Sequence, residues 1–260
     1  MLEGLAQILA QSEASLASLL LVFVRVASAV ALMPGFGESA IPSRVRLMAA
    51  LGFTMVVWPM VEGQLPEVGT SLPALAGLIV IEAGIGFLIG ISLRLMVMAL
   101  QLAGSIAAQS TAITQVAGVG VTPDPMPAIG NILMLAGLTL ALVSGLHIKA
   151  SIAIASTYEL LPMGTIPIAG DVAEWGIARV AKVFVFGFTM AAPFVIASFA
   201  YNLALGAINR AMPSLMVAFV GAPLITAGAL LLLLLAGPTI ITVWNARLDA
   251  VLANPLGMPT

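Results

Sequence analysis

Six stretches of this chain are apolar over lengths that approach or exceed a membrane crossing, and that repetition constrains the fold more than any single motif. A helix crossing a hydrocarbon layer roughly 30 Å thick needs roughly 20 mostly apolar residues. The stretches are residues 14–33, 46–61, 72–93, 129–154, 178–205 and 215–243, with a seventh, less apolar region at 96–116. Of the 260 residues, 61% are hydrophobic and 8% charged. That leaves too little polar surface to cover a soluble domain of this length. The expectation is an all-α membrane protein of about six hydrophobic helices in hairpins, forming one domain over residues 1–260.

The polar breaks carry turn-forming residues: Pro34-Gly35-Phe36-Gly37 with Pro42, then Pro66 with Gly69, then Pro123-Asp124-Pro125-Met126-Pro127, and a loop from Pro162 to Gly170. Residues 1–13 contain Glu3 and Glu13 but no Lys or Arg, unlike a secretory signal, so the first apolar segment is expected to be retained. Arg44, Arg46, Arg94 and Arg210 favour the cytoplasmic side for their segment ends. The loops with Glu62 and Glu67, and with Glu159, Asp171 and Glu174, are then placed outside, while Lys149, Arg179 and Lys182 argue the other way.

Several function classes are excluded. The net charge of −2 comes from scattered single residues, so there is no basic surface for nucleic acid. The absence of Cys removes disulfides, thiolate chemistry and Cys-held metals. His147 is the only histidine and suits a structural hydrogen bond better than a metal site. No His-Glu-x-x-His or phosphate-binding Gly-x-x-x-x-Gly-Lys is present. Leu142-Val143-Ser144-Gly145 lacks the first Gly of an intramembrane serine-protease motif, and Asp124 lies in Thr-Pro-Asp-Pro. Neither enzyme activity nor a cofactor is expected.

Charges inside apolar segments normally face a partner or a water-filled space, which singles out Arg25, Glu82 and Arg94. Glu82 is the candidate partner of Arg25, either as an ion pair that fixes helix register or as part of a proton or substrate pathway. Gly86 and Gly90, four residues apart, share one helix face where another backbone can approach closely, from this chain or from another subunit. Residues 104–120 are too polar for lipid and too apolar for an ordinary solvated loop, which suits either a re-entrant or pore-lining element or a small-residue helix followed by a surface loop. Pro193, Pro223 and Pro238 favour bends in the last two segments. The fourteen Met residues suit core filling or a deformable seal.

These residues together resemble the FliR/SctT family of type III export-gate subunits. The resemblance is carried by Arg25 with Met33-Pro34-Gly35-Phe36-Gly37 and Ile41-Pro42-Ser43-Arg44-Val45-Arg46, by Glu82-Ala83-Gly84-Ile85-Gly86 through Gly90, and by Ala103-Gly104 onward to Gln109 and Asp124-Pro125. It continues through Gly145-Leu146-His147, Tyr158 and Leu161-Pro162-Met163-Gly164 to Ala192-Pro193, Asn209-Arg210-Ala211-Met212-Pro213 and Phe219-Val220-Gly221-Ala222-Pro223. Pro34, Pro42, Arg44, Pro125, Pro193, Arg210, Pro213 and Pro223 thus stand as structural positions of the family motif. Ser214–Phe219 and Gln109-Ser110-Thr111 depart from the family pattern.

The resemblance implies bent helices packed into a helical gate in the bacterial inner membrane, part of the flagellar basal body, with an injectisome role as the alternative. It implies one copy of this chain joined to FliP/SctR-like and FliQ/SctS-like subunits, with an FlhB/SctU-like subunit attached, and unfolded substrates passing through the centre. It also implies a plug loop, carried here by Ser110, Thr111, Ile113, Val116, Gly118, Val119 and Gly120. Two other readings of the residues stay open, a secondary transporter with Glu82 and Arg25 at its midplane and a purely structural scaffold. No internal repeat supports the transporter.

Overall fold

The computed structural model describes residues 2–38, 40–65, 72–111, 128–212 and 217–257. Among them every regular element is a helix: α1 (Leu2–Leu32), α2 (Ser43–Val61) with a 3-10 turn at Glu62–Gln64, α3 (Leu72–Ser110), α4 (Ala128–Val143), α5 (Leu146–Leu160), α6 (Ala169–Ala211) and α7 (Val217–Ala253). In lipid every backbone donor and acceptor must be satisfied within the segment, and a helix does this where an isolated strand cannot. The fold is therefore an all-α membrane bundle. Among the described residues five helices are long and apolar enough to cross a membrane, and the α4–α5 pair makes a sixth span if its two halves cross together.

Helix ends follow local chemistry. α1 stops at Pro34-Gly35, where Gly35 takes φ +80° and the Gly37 amide closes onto the Met33 carbonyl at 2.7 Å. Gly37 admits no larger residue, because a Cβ there would lie 2.5 Å from the Ala31 carbonyl oxygen. Pro42, extended at φ −57° and ψ 143°, then starts α2, and its carbonyl accepts the Val45 and Arg46 amides.

The structure redraws three segments. The regions at 72–93 and 96–116 run together as one 39-residue helix, α3, that continues past Arg94 to Ser110. The region at 129–154 is two helices, bent by 75° where Gly145 adopts φ +80°. Pro193, Pro223 and Pro238 lie inside helices that continue through them. A proline is tolerated in such a helix when neighbouring groups satisfy the freed carbonyl.

By packing, the chain divides into two compact units: Met1–Arg94, Leu142–Ala178 and Leu248–Thr260 in one, Leu95–Ala141 and Arg179–Arg247 in the other. The core of the first includes Leu21, Met33, Ile85, Ile89 and Leu146; that of the second includes Leu100, Leu133, Phe194 and Trp244. Large apolar side chains also stay exposed along the helices, among them Met55, Phe184, Phe199 and Leu234. Such faces are the surfaces that lipid tails or other helices cover.

Candidate functional site

The first unit is organised around a buried cation. Arg25 on α1 and Glu82 on α3 are both fully buried, and Arg25 Nε donates to Glu82 Oε2 at 2.6 Å. The rest of the guanidinium is also committed: Nη1 donates to Thr157 Oγ1 at 3.3 Å and Nη2 to the Leu161 carbonyl at 3.1 Å, while its face lies 3.7 Å from the centre of the Tyr158 ring. The second oxygen of Glu82 accepts the Gly164 amide at 3.0 Å. One ion pair thus ties α1, α3, the end of α5 and the following turn. Removing two charges from water carries a large penalty, which only such complete pairing offsets.

Glycines let the two helices close around that pair. A Cβ on Gly86 would overlap the Arg25 carbonyl and the Ser28 Cβ; on Gly90 it would lie 2.8 Å from the Ala29 carbonyl and 2.9 Å from the Leu32 Cβ. The Gly86/Gly90 face therefore packs on α1 of this same chain. Gly84 is different, since nothing lies within 4 Å of a Cβ there.

A second ion pair holds the turn after α1. Arg94 Nη1 donates to Glu38 Oε1 at 2.6 Å, and Arg46 Nη2 donates to the Glu38 and Ile41 carbonyls at 3.1 and 3.4 Å. Phe36, in the same turn, meets Phe53 of α2 edge-on with centroids 5.4 Å apart. Pro34 is buried, whereas Pro42 and Arg44 are exposed. A third pair, Lys149 Nζ to Asp249 Oδ1 at 2.7 Å, joins α5 to the end of α7. Sequence reasoning missed Glu38, Asp249 and Thr157 as partners, because each meets its cation from a segment far away in the chain.

In the second unit, Gly104 and Gly130 bring α3 against α4 so closely that a Cβ on Gly104 would overlap the Gly130 backbone. Trp244 of α7 is fully buried and donates from Nε1 to the Met96 carbonyl at 2.7 Å. Ser110 and Thr111 sit at the end of α3, where the Ser110 carbonyl accepts the hydroxyl of Ser198 from α6. Sequence reasoning missed Ser198, a lone hydroxyl in an apolar run. Arg210, Pro223 and Pro193 are all exposed. Ile113, Val116, Gly118, Val119, Gly120, Pro125 and Pro213 lie outside the described residues.

Each unit also carries an open apolar groove of about 480 Å³. One lies between α2 and α5, lined by residues including Gly52, Phe53, Val56, His147 and Ile152; the other lies between α4 and α7, lined by residues including Leu133, Leu233, Gly237 and Pro238. Among the described residues no group of three or more His, Asp or Glu is placed to hold a metal. The arrangement can lock helices together and present apolar faces.

A family model described as "Bacterial export proteins, family 1" matches residues 16–251. Flagellar biosynthetic protein FliR of Caulobacter vibrioides is 34% identical over 228 residues, covering 87% of this chain and 91% of that protein. The protein of the same name from Aquifex aeolicus is 30% identical over 237 residues, 88% of each chain, and that of Escherichia coli 28% identical over 206 residues, 77% of each.

Proposed function

This chain belongs to the FliR family of bacterial export proteins, multi-pass proteins of the inner membrane, and from that membership we propose that it is a subunit of the flagellar type III protein export gate. The observation that carries the reading is a family match running from residue 16 to 251, across all the membrane-length helices. The flagellar assignment over the injectisome alternative is supported by the names of the matched relatives. In this reading one copy joins FliP- and FliQ-like subunits, with an FlhB-like subunit attached, to form a channel for unfolded substrates. The exposed apolar faces of α2, α6 and α7 are available to those subunits and to lipid.

Residues 110–120 supply this subunit's part of the seal. Their small residues and glycines allow a backbone to move between two packings, and Ser110 and Thr111 root the segment at the end of α3. The Arg25–Glu82 pair fixes the register of α1 on α3. A proton relay is disfavoured by the complete burial of both side chains and by the fixed partner that engages each guanidinium nitrogen and each carboxylate oxygen.

Native mass spectrometry of the chain co-expressed with its FliP- and FliQ-like neighbours, in mild detergent, tests the proposal. One large complex containing a single copy of this chain is expected. A stable monomer or homodimer that moves a small solute when reconstituted alone would replace it with the secondary-transporter reading.

A further inference from the structure

A helix ends in carbonyls that no later residue of its own can satisfy. At the end of α3 the Ala107 carbonyl is heavily used, accepting from Ser110 Oγ at 2.9 Å, Thr111 Oγ1 at 2.8 Å and the Thr111 amide at 3.2 Å. The Ser110 carbonyl is taken by α6 through the Ser198 hydroxyl, 88 residues along the chain. Ser198 is buried, at 6% exposure.

That contact differs from the usual habit of hydroxyls in these helices. Thr54, Ser92, Thr139, Ser151, Thr189 and Thr242 each donate to a carbonyl three or four residues earlier in their own helix. Ser198 gives its proton to another helix. One turn on, Asn202 Nδ2 donates to the Ser198 carbonyl at 2.9 Å and to Ser198 Oγ at 3.2 Å. The Asn202 amide thereby orients the hydroxyl, and the two bonds polarise each other in the order Asn202, Ser198, Ser110. Three turns earlier on α6, Gly187 keeps the two helices close, since a Cβ there would lie 3.1 Å from the Ala99 carbonyl and 2.8 Å from Leu102 Cδ2.

We infer that Ser198 and Asn202 are positioning residues that fix the point at which the chain leaves α3. They thereby set the root of the segment assigned above to sealing, and this inference rests on that assignment. Neither residue needs to touch substrate, because both act through the Ser110 carbonyl.

The test uses the assembled complex with Ser198→Ala, Asn202→Ala and, as control, Thr189→Val, which removes a hydroxyl that serves only its own helix. Hydrogen exchange in detergent reads the last turn of α3, and ion leakage is read after reconstitution in liposomes. Ser198→Ala is expected to leave assembly intact, to speed exchange at Thr111 and the residues before it roughly tenfold, the consequence of orphaning a part-buried carbonyl, and to raise leakage. Asn202→Ala gives a smaller rise, and Thr189→Val gives none. Wild-type exchange in Ser198→Ala, or an equal rise in Thr189→Val, overturns the inference. Deleting residues 112–120 separates it from the reading it rests on. If the deletion leaks while Ser198→Ala does not, the positioning role falls. If the deletion itself does not leak, the sealing assignment falls, and exchange alone decides whether Ser198 holds the end of α3.

Discussion

Replacing Glu82 with Gln removes one charge from a site that admits no water, and the structure sets the size of the consequence. Glu82 and Arg25 are both fully buried, so the guanidinium that remains cannot turn to solvent. Gln keeps an oxygen for the Gly164 amide but presents no carboxylate to Arg25 Nε. Thr157, the Leu161 carbonyl and the Tyr158 ring stay in place, but all are neutral. Breaking a buried pair by removing one partner is destabilising by about 3–5 kcal/mol, and that range is expected for Glu82→Gln. Arg25→Met leaves the opposite charge buried and falls in the same range. The double variant Arg25→Met with Glu82→Gln buries no unpaired charge, so it should lose less than the sum of the single losses by about 3 kcal/mol. Unfolding by titration with a denaturing detergent, followed by tryptophan fluorescence, measures all three. A Glu82→Gln protein as stable as wild type, or single losses that add within about 0.5 kcal/mol, refutes the register role. A stable, assembled Glu82→Gln complex that has lost export would instead restore the pathway reading.

Four further substitutions follow from local geometry and are read by the same unfolding assay. Gly90→Ala drives a methyl against the Ala29 carbonyl and the Leu32 side chain of α1 and should be destabilising by about 1–3 kcal/mol, whereas Gly84→Ala points into open space and should be neutral or gain up to about 1 kcal/mol. Trp244→Phe removes the bond to the Met96 carbonyl and leaves a void in a fully buried position; a loss of about 1–3 kcal/mol is expected, and a loss below about 0.5 kcal/mol contradicts the packing described. Asp249→Asn opens the pair with Lys149, whose side chains are 40% and 36% exposed, so the loss should stay below about 1 kcal/mol and shrink as salt is raised.

How much was legible beforehand depended on whether a feature announces itself locally. Arg25 and Glu82 stand out because charges are rare in apolar helices, and few buried groups were available to pair with either. The four-residue spacing of Gly86 and Gly90 shows a close-packing face, but only the structure identifies α1 as its neighbour. Arg94 misled for the same reason that Arg25 informed: a charge in an apolar run looks like a helix end, yet Glu38 of the turn after α1 neutralises it and α3 continues. The break at Gly145 was masked by apolar residues on both sides, although Ser144-Gly145 is itself a turn-forming pair. Helix α6 starts at Ala169, earlier than hydropathy placed it, because Asp171 and Glu174 are polar but compatible with a first helical turn.

Within a membrane, apolar burial distinguishes poorly between one helix neighbour and another, since lipid tails are as apolar as a leucine side chain. Specificity has to come from close backbone approach and from polar contacts that are costly to leave unmade. In the first unit Gly86 and Gly90 let α1 and α3 approach closely, Arg25 and Glu82 join them by a buried ion pair, and Arg94 and Lys149 fasten a turn and a helix end. In the second unit Gly104 and Gly187 allow close approach, and Trp244 and Ser198 donate hydrogen bonds to carbonyls of α3. Each set uses small residues first and directional bonds second, leaving other large side chains of α6 and α7, such as Phe184, Phe199 and Leu234, exposed. A chain built this way can hold its own helices in place while its apolar faces remain uncommitted, and the proposed gate would require both.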